Sequence, residues 1–399
     1  MKGNPIYRCW WLYYLWVIVL VGCGTGQQPD VATAVPTSDL PTLVPVDLPI
    51  SNWGDVELIA QAEQSAAPVF RYTAADRMIT WVGAYAGQAY HFTEGITDVQ
   101  HRLDLPTFFP YDQTLLSTSQ GALKLWLDRN NSEFNLRIQA STIGFDGTVE
   151  TGIIPVNNQR TRNYSVIPIS QREFRIVWSG GLGEVTNLYL HQIDDSGRPT
   201  GGDLLQIDGD HPALIQDSDG AIHLFWLSNN GRDAYHATFD EIGAPTLVNV
   251  RRITSNNLSL TDAITDFSVG FDATTAYLLW NVRRIDDSQF ILMSSGQLTD
   301  EQFSLPAPLL TPEGASIQWA KSASGIHNPL PVVVNSEDDL LVVWFANGEL
   351  QSTELVTRSG RLIGLPHIDA TATRIGVSWS QVTADGFSNL LYVEQSRLP

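Results

Sequence analysis

The stretch DSDGAIHLFW, Asp217–Trp226, joins an acidic turn to an apolar run that ends in tryptophan. Asp219 and Gly220 are typical of a tight turn, because glycine adopts positive φ without strain and aspartate can accept hydrogen bonds from the turn backbone. The apolar run that follows is typical of a buried strand. Taken alone, the stretch predicts one hairpin; its meaning for the fold depends on whether it recurs.

The apolar run recurs along the chain. Strand-like runs end in Trp81, Trp126, Trp178, Trp226, Trp280, Trp344 and Trp379, at intervals of 35 to 64 residues. A shorter apolar run precedes each of them, and an alternating strand such as DAYHATFD (233–240) follows, usually with a weaker fourth strand. Four short strands per repeat are the signature of a propeller blade. We expect the tryptophans to pack between blades.

The third turn of the unit also repeats. Asp194–Thr200 reads DDSGRPT and Asp240–Thr246 reads DEIGAPT, so both follow the pattern D-x-x-G-x-P-T. Glycine at the fourth position fits a hairpin that needs positive φ. The two turns support the repeat independently of tryptophan.

The two ends of the repeat array complement one another. The seventh unit stops at Pro399 after its third strand, and a spare strand, DVELIAQ (Asp55–Gln61), precedes the first unit. Pairing of the two would close the ring and leave no open sheet edge. We therefore predict an all-β fold, a single seven-bladed β-propeller. Six or eight blades remain alternatives, because the fourth strand of the sixth unit is poorly defined around Arg361–Gly364.

The N-terminus predicts the location. Lys2 and Arg8 precede the apolar run Trp10–Val21, which suits a secretory signal better than a membrane span. The run ends in Leu20-Val21-Gly22-Cys23, which resembles the lipobox of bacterial lipoproteins and implies a lipid on Cys23. An ordinary membrane anchor with an incidental cysteine is the alternative. We predict a signal peptide at 1–22, a Pro/Thr-rich tether at 23–51 and a propeller at 52–399, outside the cytoplasm and held to the membrane by lipid.

The composition restricts the partners. The chain carries 43 acidic and 23 basic residues, a formal net charge of −20, which disfavours nucleic acid. We predict no nucleic acid partner, a monomer, and an unidentified protein or glycan as ligand. No P-loop, Rossmann fingerprint or nucleophile elbow occurs in a suitable context, so we predict no cofactor.

One face of the predicted propeller collects the candidate site residues. The loops from second to third strands and those between blades share this face, around the mouth of the central channel. Their arginines and amides suit sugar hydroxyls or carboxylates. The candidate binding residues are Arg129, Asn131, Arg160, Arg162, His211, Asn229, Arg232, Arg283, Arg284, Trp319 and His327.

Two of these histidines raise the question of a metal. His211 and His327 are each predicted just before an innermost strand, with Asp208 and Asp210 nearby. Histidine and aspartate can bind metals, but no ligand spacing such as H-E-x-x-H occurs, and we predict no metal site. Trp319 lies in a predicted inter-blade loop, outside the tryptophan repeat.

The Trp-ended, four-stranded units resemble sialidase-type (BNR-like) propellers, at the level of architecture and over the whole body. Such enzymes use an arginine cluster, a Tyr–Glu nucleophile pair and an aspartate acid/base. Arg71, in FRYT (Phe70–Thr73), stands where the family has its first arginine. The family's aspartate box reads S-x-D-x-G-x-T-W, whereas here six positions separate Gly220 from Trp226, so DSDGAIHLFW is predicted to be a plain hairpin.

The functional expectation rests on two observations: the predicted propeller is complete, and the sequence contains no recognisable catalytic motif. We predict a non-catalytic binding module for a protein or glycan. The alternative is a sialidase-like glycoside hydrolase, for which the candidate catalytic residues are Arg71, Asp128, Glu133, Asp208 and Asp262. Carboxylates about 5–10 Å apart would then be required.

Overall fold

A computed structural model describes residues 53–396, except for gaps at 66–67, 86–87, 96–99, 104–110, 131–132, 158–159, 182–184, 241–245, 260, 312–313, 337–338 and 359–361. The predicted signal peptide, Cys23 and the tether lie outside the described residues. Throughout these ranges the chain forms strands, turns and loops, and no helix. No described helix is therefore long and apolar enough to span a membrane.

The strands form seven antiparallel sheets, each a blade. Blade 1 consists of β2 (Gln64–Ser65), β3 (Val69–Tyr72), β4 (Arg77–Tyr85), β5 (Gln88–Glu94) and β6 (Gln100–Leu103). Blade 2 consists of β7 (Tyr111–Ser117), β8 (Gly121–Asn130), β9 (Glu133–Gly144) and β10 (Ile154–Pro155). Blade 3 consists of β11 (Thr161–Pro168), β12 (Glu173–Gly180), β13 (Asn187–Asp194) and β14 (Pro199–Asp208). In blade 1 both β2 and β3 pair with β4, so its inner strand is split.

Blades 4 to 7 follow the same order. Blade 4 consists of β15 (Asp210–Gln216), β16 (Ile222–Leu227), β17 (Asp233–Phe239) and β18 (Leu247–Ser255), and blade 5 of β19 (Ala263–Phe271), β20 (Thr275–Arg283), β21 (Gln289–Gln297) and β22 (Ala307–Pro308). Blade 6 consists of β23 (Trp319–Ser322), β24 (Leu330–Ser336), β25 (Asp339–Ala346) and β26 (Glu349–Arg358). Blade 7 consists of β27 (Leu362–Ala370), β28 (Arg374–Val382), β29 (Ser388–Ser396) and β1 (Glu57–Ala62). The predicted seven-bladed β-propeller is confirmed.

The N-terminal strand closes the ring. β1 runs antiparallel to β29, with Glu57 opposite Tyr392 and Ala62 opposite Ser388. Blade 7 thus takes three strands from the end of the chain and its outer strand from the beginning. The predicted pairing of the spare strand with the last unit is confirmed, and the outer edge of blade 7 is covered.

The core lies between the blades. Seven clusters of buried apolar side chains occur among the described residues, one at each interface between neighbouring blades, which we call a seam. Six tryptophans lie on second strands and are at most 1% exposed: Trp81, Trp126, Trp178, Trp226, Trp280 and Trp379. A large aromatic ring at the same place in each blade fills the wedge between two sheets. The expected core role of these tryptophans is confirmed.

Blade 6 departs from the predicted alignment. Its inner strand is β23, so Trp319 lies in a strand and not in an inter-blade loop, and Trp344 lies on the third strand. The fourth strand is β26, not the segment around Arg361–Gly364, and Leu362 already begins blade 7. The alignment was wrong because β23 has only four residues, WAKS, including a lysine, and gives no apolar run to recognise.

The opening stretch forms the predicted hairpin between β15 and β16. Asp217 Oδ1 accepts hydrogen bonds from the backbone N–H of Asp219 (2.9 Å) and Ala221 (2.8 Å), and Gly220 has φ 86°. The turn at Asp194 uses the same device, with Asp194 Oδ1 accepting from Ser196 and Arg198. The second D-x-x-G-x-P-T turn lies largely outside the described residues.

Candidate functional site

The axial channel gathers ionisable side chains from several inner strands. Asp112 on blade 2 interacts electrostatically with Asp266 on blade 5 and Lys321 on blade 6. Blade 2 lies across the ring from blades 5 and 6, so this interaction acts through the channel, without a hydrogen bond or ion pair between the three side chains. We call Asp112, Asp266 and Lys321 the axial cluster. None of them was among the residues predicted from the sequence.

The upper end of the channel, where the inter-blade loops lie, has an unusual backbone. Asp112 and His211 have φ of 50° and 51°, a left-handed conformation that non-glycine residues rarely adopt. Both occupy equivalent positions, one residue after the start of inner strands β7 and β15, where the pairing register shifts. Such strain persists only where the surrounding structure enforces it, and it is concentrated at functional sites. We call this end the mouth.

A buried carboxylate organises the mouth between blades 3 and 4. Asp210 Oδ1 accepts hydrogen bonds from Asn163 Nδ2 (2.9 Å), Ser179 Oγ (2.5 Å) and the backbone N–H of His211 (2.8 Å). Arg162 NH1 lies 3.7 Å from its other oxygen. Burial alone would raise the pKa of Asp210, but His211 and these hydrogen bonds hold it below its usual range. Asp210 therefore stays ionised and positions Arg162 and His211.

Asp112 is the titratable group of greatest interest. Asp112 is an exposed residue, yet desolvation by the surrounding protein raises the pKa of its carboxyl to about 6; Lys321 lowers and Asp266 raises that value. The Tyr164 hydroxyl donates to the Asp112 backbone oxygen (2.6 Å), which fixes the strand here. Burial, aided by the Asp112 charge, raises the pKa of Tyr164, which therefore stays a neutral hydroxyl. A carboxyl that titrates near pH 6 can exchange protons under physiological conditions.

The lower end of the channel is occupied by internal contacts. Arg71 NH1 lies 2.7 Å from Asp369 Oδ1 and also donates to Ser324 Oγ. Asp369 Oδ2 accepts from the backbone N–H of Tyr72 (3.0 Å), and burial raises the Asp369 pKa despite Arg71. Arg71 is therefore committed to a structural ion pair and does not lie at the mouth.

The structure separates the two histidines that sequence placed together. His211 lies at the mouth, whereas His327 is 9% exposed in the turn after β23, at the lower end, with Nε2 2.7 Å from the Ser324 backbone oxygen. The predicted position of His327 before an innermost strand is wrong, because β24 is the second strand of its blade. Within the described ranges no three His, Cys, Asp or Glu side chains are arranged to hold a metal.

Several other candidates have local structural contacts. Asn229 Oδ1 accepts from the Thr186 backbone N–H (3.0 Å) and hydroxyl (2.5 Å), so it ties blade 4 to blade 3. Asp128 is 3% exposed and accepts from Trp126 Nε1 (3.4 Å). Asp262 Oδ2 accepts from the Ser259 backbone N–H (3.0 Å). Trp319 is 4% exposed within the core between blades 6 and 7, so its ring offers no face to a ligand.

The remaining candidates lie in or beside loops of the upper face. Arg284 lies over the Phe290 ring at 4.4 Å, and Arg283 Nε is 4.0 Å from Asp287. Arg160, Asp208 and Arg232 also lie on this face, and their side chains are accessible. Asn131 lies outside the described residues, as do the side chains of Arg129 and Glu133.

A second cluster of functional groups lies on the lower face, at the seam between blades 7 and 1. The hydroxyls of Tyr72 and Tyr392 donate to Glu394 Oε2 (2.9 and 2.8 Å). Arg77 lies over the Tyr392 ring and Arg374 over the Tyr72 ring, at 4.3 and 4.5 Å. A cavity of about 430 Å³ opens beside them. We call this the closure cavity.

The Tyr72–Glu394 contact was not predicted from the sequence, because its two members are more than 300 residues apart. The usable signal was the predicted closure of the ring, which brings the strand containing Tyr72 beside the last strand. Every guanidinium here is already paired: Arg77 NH2 lies 2.6 Å from Glu57, and Arg374 NH1 lies 2.6 Å from Asp76. The cluster therefore lacks the free arginines that a substrate carboxylate would require.

No protein-family model and no curated protein sequence matches the chain. Among solved structures, it is similar to polysaccharide lyase Uly1, with TM-score 0.52, 10% identity and coverage of 90% of this chain and 94% of that one. It is also similar to a protein of unknown function from Dyadobacter fermentans, with TM-score 0.51, 9% identity and coverage of 74% and 97%. A Trypanosoma rangeli sialidase has TM-score 0.49, 12% identity and coverage of 75% and 57%.

These identities establish the fold alone. The architecture-level resemblance predicted from the sequence is confirmed by the seven-bladed ring itself, and polysaccharide lyase Uly1 shares the fold. It transfers no catalytic residue: Arg71 is paired with Asp369 at the lower end of the channel, and Asp128 and Asp262 make local contacts elsewhere. The ligand chemistry of this chain is therefore inferred from the residues at the mouth.

Proposed function

We propose that the protein binds a glycan at the mouth of its axial channel. The observation that carries this proposal is the pair Asp112 and His211, both held in left-handed backbone conformation at equivalent places on blades 2 and 4. Arg162 stands between them on blade 3. Carboxylate, imidazole and guanidinium groups together can accept and donate hydrogen bonds to sugar hydroxyls. A polysaccharide lyase has the same architecture, which makes glycans the first ligand class to test.

The test is a glycan array with the soluble body, residues 52–399, followed by titration of any ligand found. We expect Arg162→Gln and His211→Ala to weaken binding about tenfold each, since each removes a hydrogen bond whose loss costs about 1.5 kcal/mol. Asp219→Asn is the matched control, because Asp219 is exposed on a lower-face turn. Binding that is unchanged by both mouth variants would place the ligand elsewhere.

Hydrolysis is a second candidate function, favoured by one observation. Asp112 has a pKa of about 6, and Asp266 Oδ2, across the channel, has no hydrogen-bond partner among the described residues. In this proposal the protonated Asp112 donates its proton to the glycosidic oxygen, and the Asp266 carboxylate either accepts a proton from water or attacks the sugar. Each glycosidic bond that is cleaved consumes one water molecule.

Reducing-end release from any bound glycan distinguishes the two functions. If the protein is a hydrolase, Asp112→Asn should abolish release while leaving binding within a few-fold, and the wild-type rate should fall as the pH rises above about 6, where Asp112 loses its proton. If the glycan bound by the wild type is recovered intact, binding is the function. We take that second result as the expected one, because Arg71, the arginine expected by analogy with sialidases, is paired with Asp369 at the lower end of the channel.

We further propose that a lipid on Cys23 holds this propeller to the membrane from the outer side. The support is the sequence around Cys23 and the tether that follows it. Cys23→Ala should move the protein from the membrane fraction to the soluble fraction. Retention of the variant in the membrane would contradict the lipid anchor.

A further inference from the structure

A line of four polar side chains crosses blade 4 at the lower end of its seam with blade 5. Asp217 Oδ2 lies 3.0 Å from His223 Nε2, and His223 Nδ1 lies 2.9 Å from His236 Nε2. On the other side of its ring, His236 Nδ1 lies 3.4 Å from Arg251 NH2. The two histidines are only 5% and 2% exposed. Arg251 NH2 also donates to the backbone oxygen of Leu298, just after β21, so the line joins the β15–β16 turn to the neighbouring blade.

The two ends of this line fix the direction of every hydrogen bond in it. At one end, burial alone would raise the pKa of Asp217, but hydrogen bonds from His223 and from the turn backbone hold it below its usual range, so the carboxylate accepts. At the other end, a guanidinium has only N–H donors, so His236 Nδ1 accepts from Arg251. Each imidazole therefore carries its single proton on Nε2. Arg251 donates to His236, His236 to His223, and His223 to Asp217.

A second proton on either imidazole finds no acceptor within this line. On His236 it would occupy Nδ1 and face an N–H of Arg251. On His223 it would occupy Nδ1 and face the Nε2–H of His236. In both cases two donors oppose each other at a buried position, which breaks one hydrogen bond and buries a charge with little solvation. Burial, and then His223 and Arg251, accordingly lower the pKa of His236 to about 3.

The surrounding charges do not offer a second acceptor. Asp217 and Arg251 are the charged groups that contact these histidines in the described part of the chain. Within blade 4, Asp219 lies in the same turn as Asp217 but is exposed. The blade 5 turn that packs against the line holds Asp300, which accepts a hydrogen bond from a backbone N–H of its own turn (2.8 Å), and the exposed Glu301. The line therefore tolerates one proton per imidazole and no more.

We propose that Asp217, His223, His236 and Arg251 form an acid-sensitive latch that holds the lower end of the seam between blades 4 and 5. Near neutral pH the latch is closed, with both imidazoles neutral. As the pH falls, an open state with ordinary histidine pKa values of about 6.5 takes up protons that the closed state does not. Closure is therefore most favourable above about pH 6.5 and is lost progressively below it. The latch is independent of the proposed glycan site, because none of its residues lies at the mouth.

Hydrogen–deuterium exchange of the full chain at pH 7 and pH 5, corrected for the intrinsic effect of pH on exchange, measures opening of the latch. We expect protection of the hydrogen-bonded amides in 217–223 and 297–300 to fall about 25-fold, the factor by which one histidine of pKa about 6.5 favours the open state over this interval. The turn at Asp194 is the internal control. It is closed by the same aspartate device, its described contacts are to Ser196 and Arg198, and it should keep its protection.

Two variants separate a latch from a merely structural contact. His236→Gln keeps one donor and one acceptor but takes up no proton, so the fall in protection between pH 7 and pH 5 should shrink to about threefold or less. Asp219→Asn is the matched control, because it removes a charge from the same turn without touching the line. In this variant the fall should be as large as in the wild type.

Ring ¹⁵N spectra of the histidine-labelled wild type give a second readout, which serves even if His236→Gln does not fold. His223 and His236 should both show the Nε2–H tautomer at pH 7. An Nδ1–H tautomer or a charged ring at either position at pH 7 overturns the proposal. So does a fall in protection that is equally large in His236→Gln, or one that the Asp194 turn shares.

Discussion

Lys124 offers the sharpest test of how the propeller core is built. This side chain is fully buried at the seam between blades 1 and 2, and its Nζ donates a hydrogen bond to Thr80 Oγ1 (2.5 Å). No ion pair to Lys124 occurs in the described part of the chain. The neighbouring basic group, His91, is also fully buried, and neither of its ring nitrogens has a hydrogen-bond partner among the described residues. A buried cation without a counterion is strongly unfavourable.

Burial lowers the pKa of Lys124 well below its ordinary value. The unfolded chain therefore binds a proton that the folded protein does not, over the range from the folded pKa up to about 10.4. Stability must then rise with pH across that window, at up to about 1.4 kcal/mol per pH unit. The cost of Lys124 at pH 7 is bounded at about 4–5 kcal/mol, because only the interval between pH 7 and the unfolded pKa counts.

Lys124→Met removes the amine and keeps a flexible chain of similar length. We expect this variant to be more stable than the wild type at pH 7, and the difference to shrink steadily towards pH 10. Urea unfolding followed by tryptophan fluorescence at pH 7, 8, 9 and 10 measures it. Leu123→Met, at the next buried position, is the control and should shift stability equally at every pH. A Lys124→Met difference that stays constant with pH would refute the reasoning, since Lys124 would then be protonated in the folded state.

Three further perturbations test the same structure. His91→Phe should stabilise the protein increasingly as the pH falls below about 6.5, because burial and then Lys124 lower the folded pKa of His91 while the unfolded chain protonates there; thermal unfolding from pH 4.5 to 8 measures this, and a benefit that is the same at pH 5 and pH 8 would contradict it. Ile59→Ala, at a 4% exposed position of β1, should cost about 2–5 kcal/mol in urea unfolding, and the half-exposed Leu58→Ala much less, if β1 closes the ring as a packed strand. Gly220→Ala should cost about 1 kcal/mol by the same measurement because φ is 86°; an unchanged stability would mean that the turn rearranges.

The fold was predictable because it depends on a repeated local pattern. Each unit carries its own tryptophan, turn and alternation, so errors in one unit are corrected by the others. Ring closure was predictable from one spare strand, now seen as β1. Blade 6 was misaligned because β23 is short and polar, and its neighbours β24 and β25 are both continuously apolar. Two consecutive apolar strands leave no local signal to decide which is the second.

The site was less predictable, because it depends on which residues face one another across the ring. Arg162 and His211 lie near the starts of inner strands β11 and β15, and their role in binding stays a prediction. Asp112 was missed because its importance comes from a register shift and from Asp266 and Lys321 on distant blades. No spacing within the sequence encodes that approach. Trp319 was misjudged for the opposite reason. Its position in the sequence is irregular, but its side chain is part of the core between blades 6 and 7.

The two seams that flank blade 1 differ in the polar groups that they hold. The seam with blade 2 buries Lys124 and His91, and no described carboxylate pairs with either, so its free energy depends on pH. The seam with blade 7 has an apolar core that includes Phe70 and Trp81, and at its lower end it has a polar cavity in which Arg77 and Arg374 are outnumbered by carboxylates. Closure of the ring through β1 does not need a dry interface at that edge, because β1 also pairs along its length with β29. The closing seam can therefore keep a cavity at its lower end beside its packed apolar core.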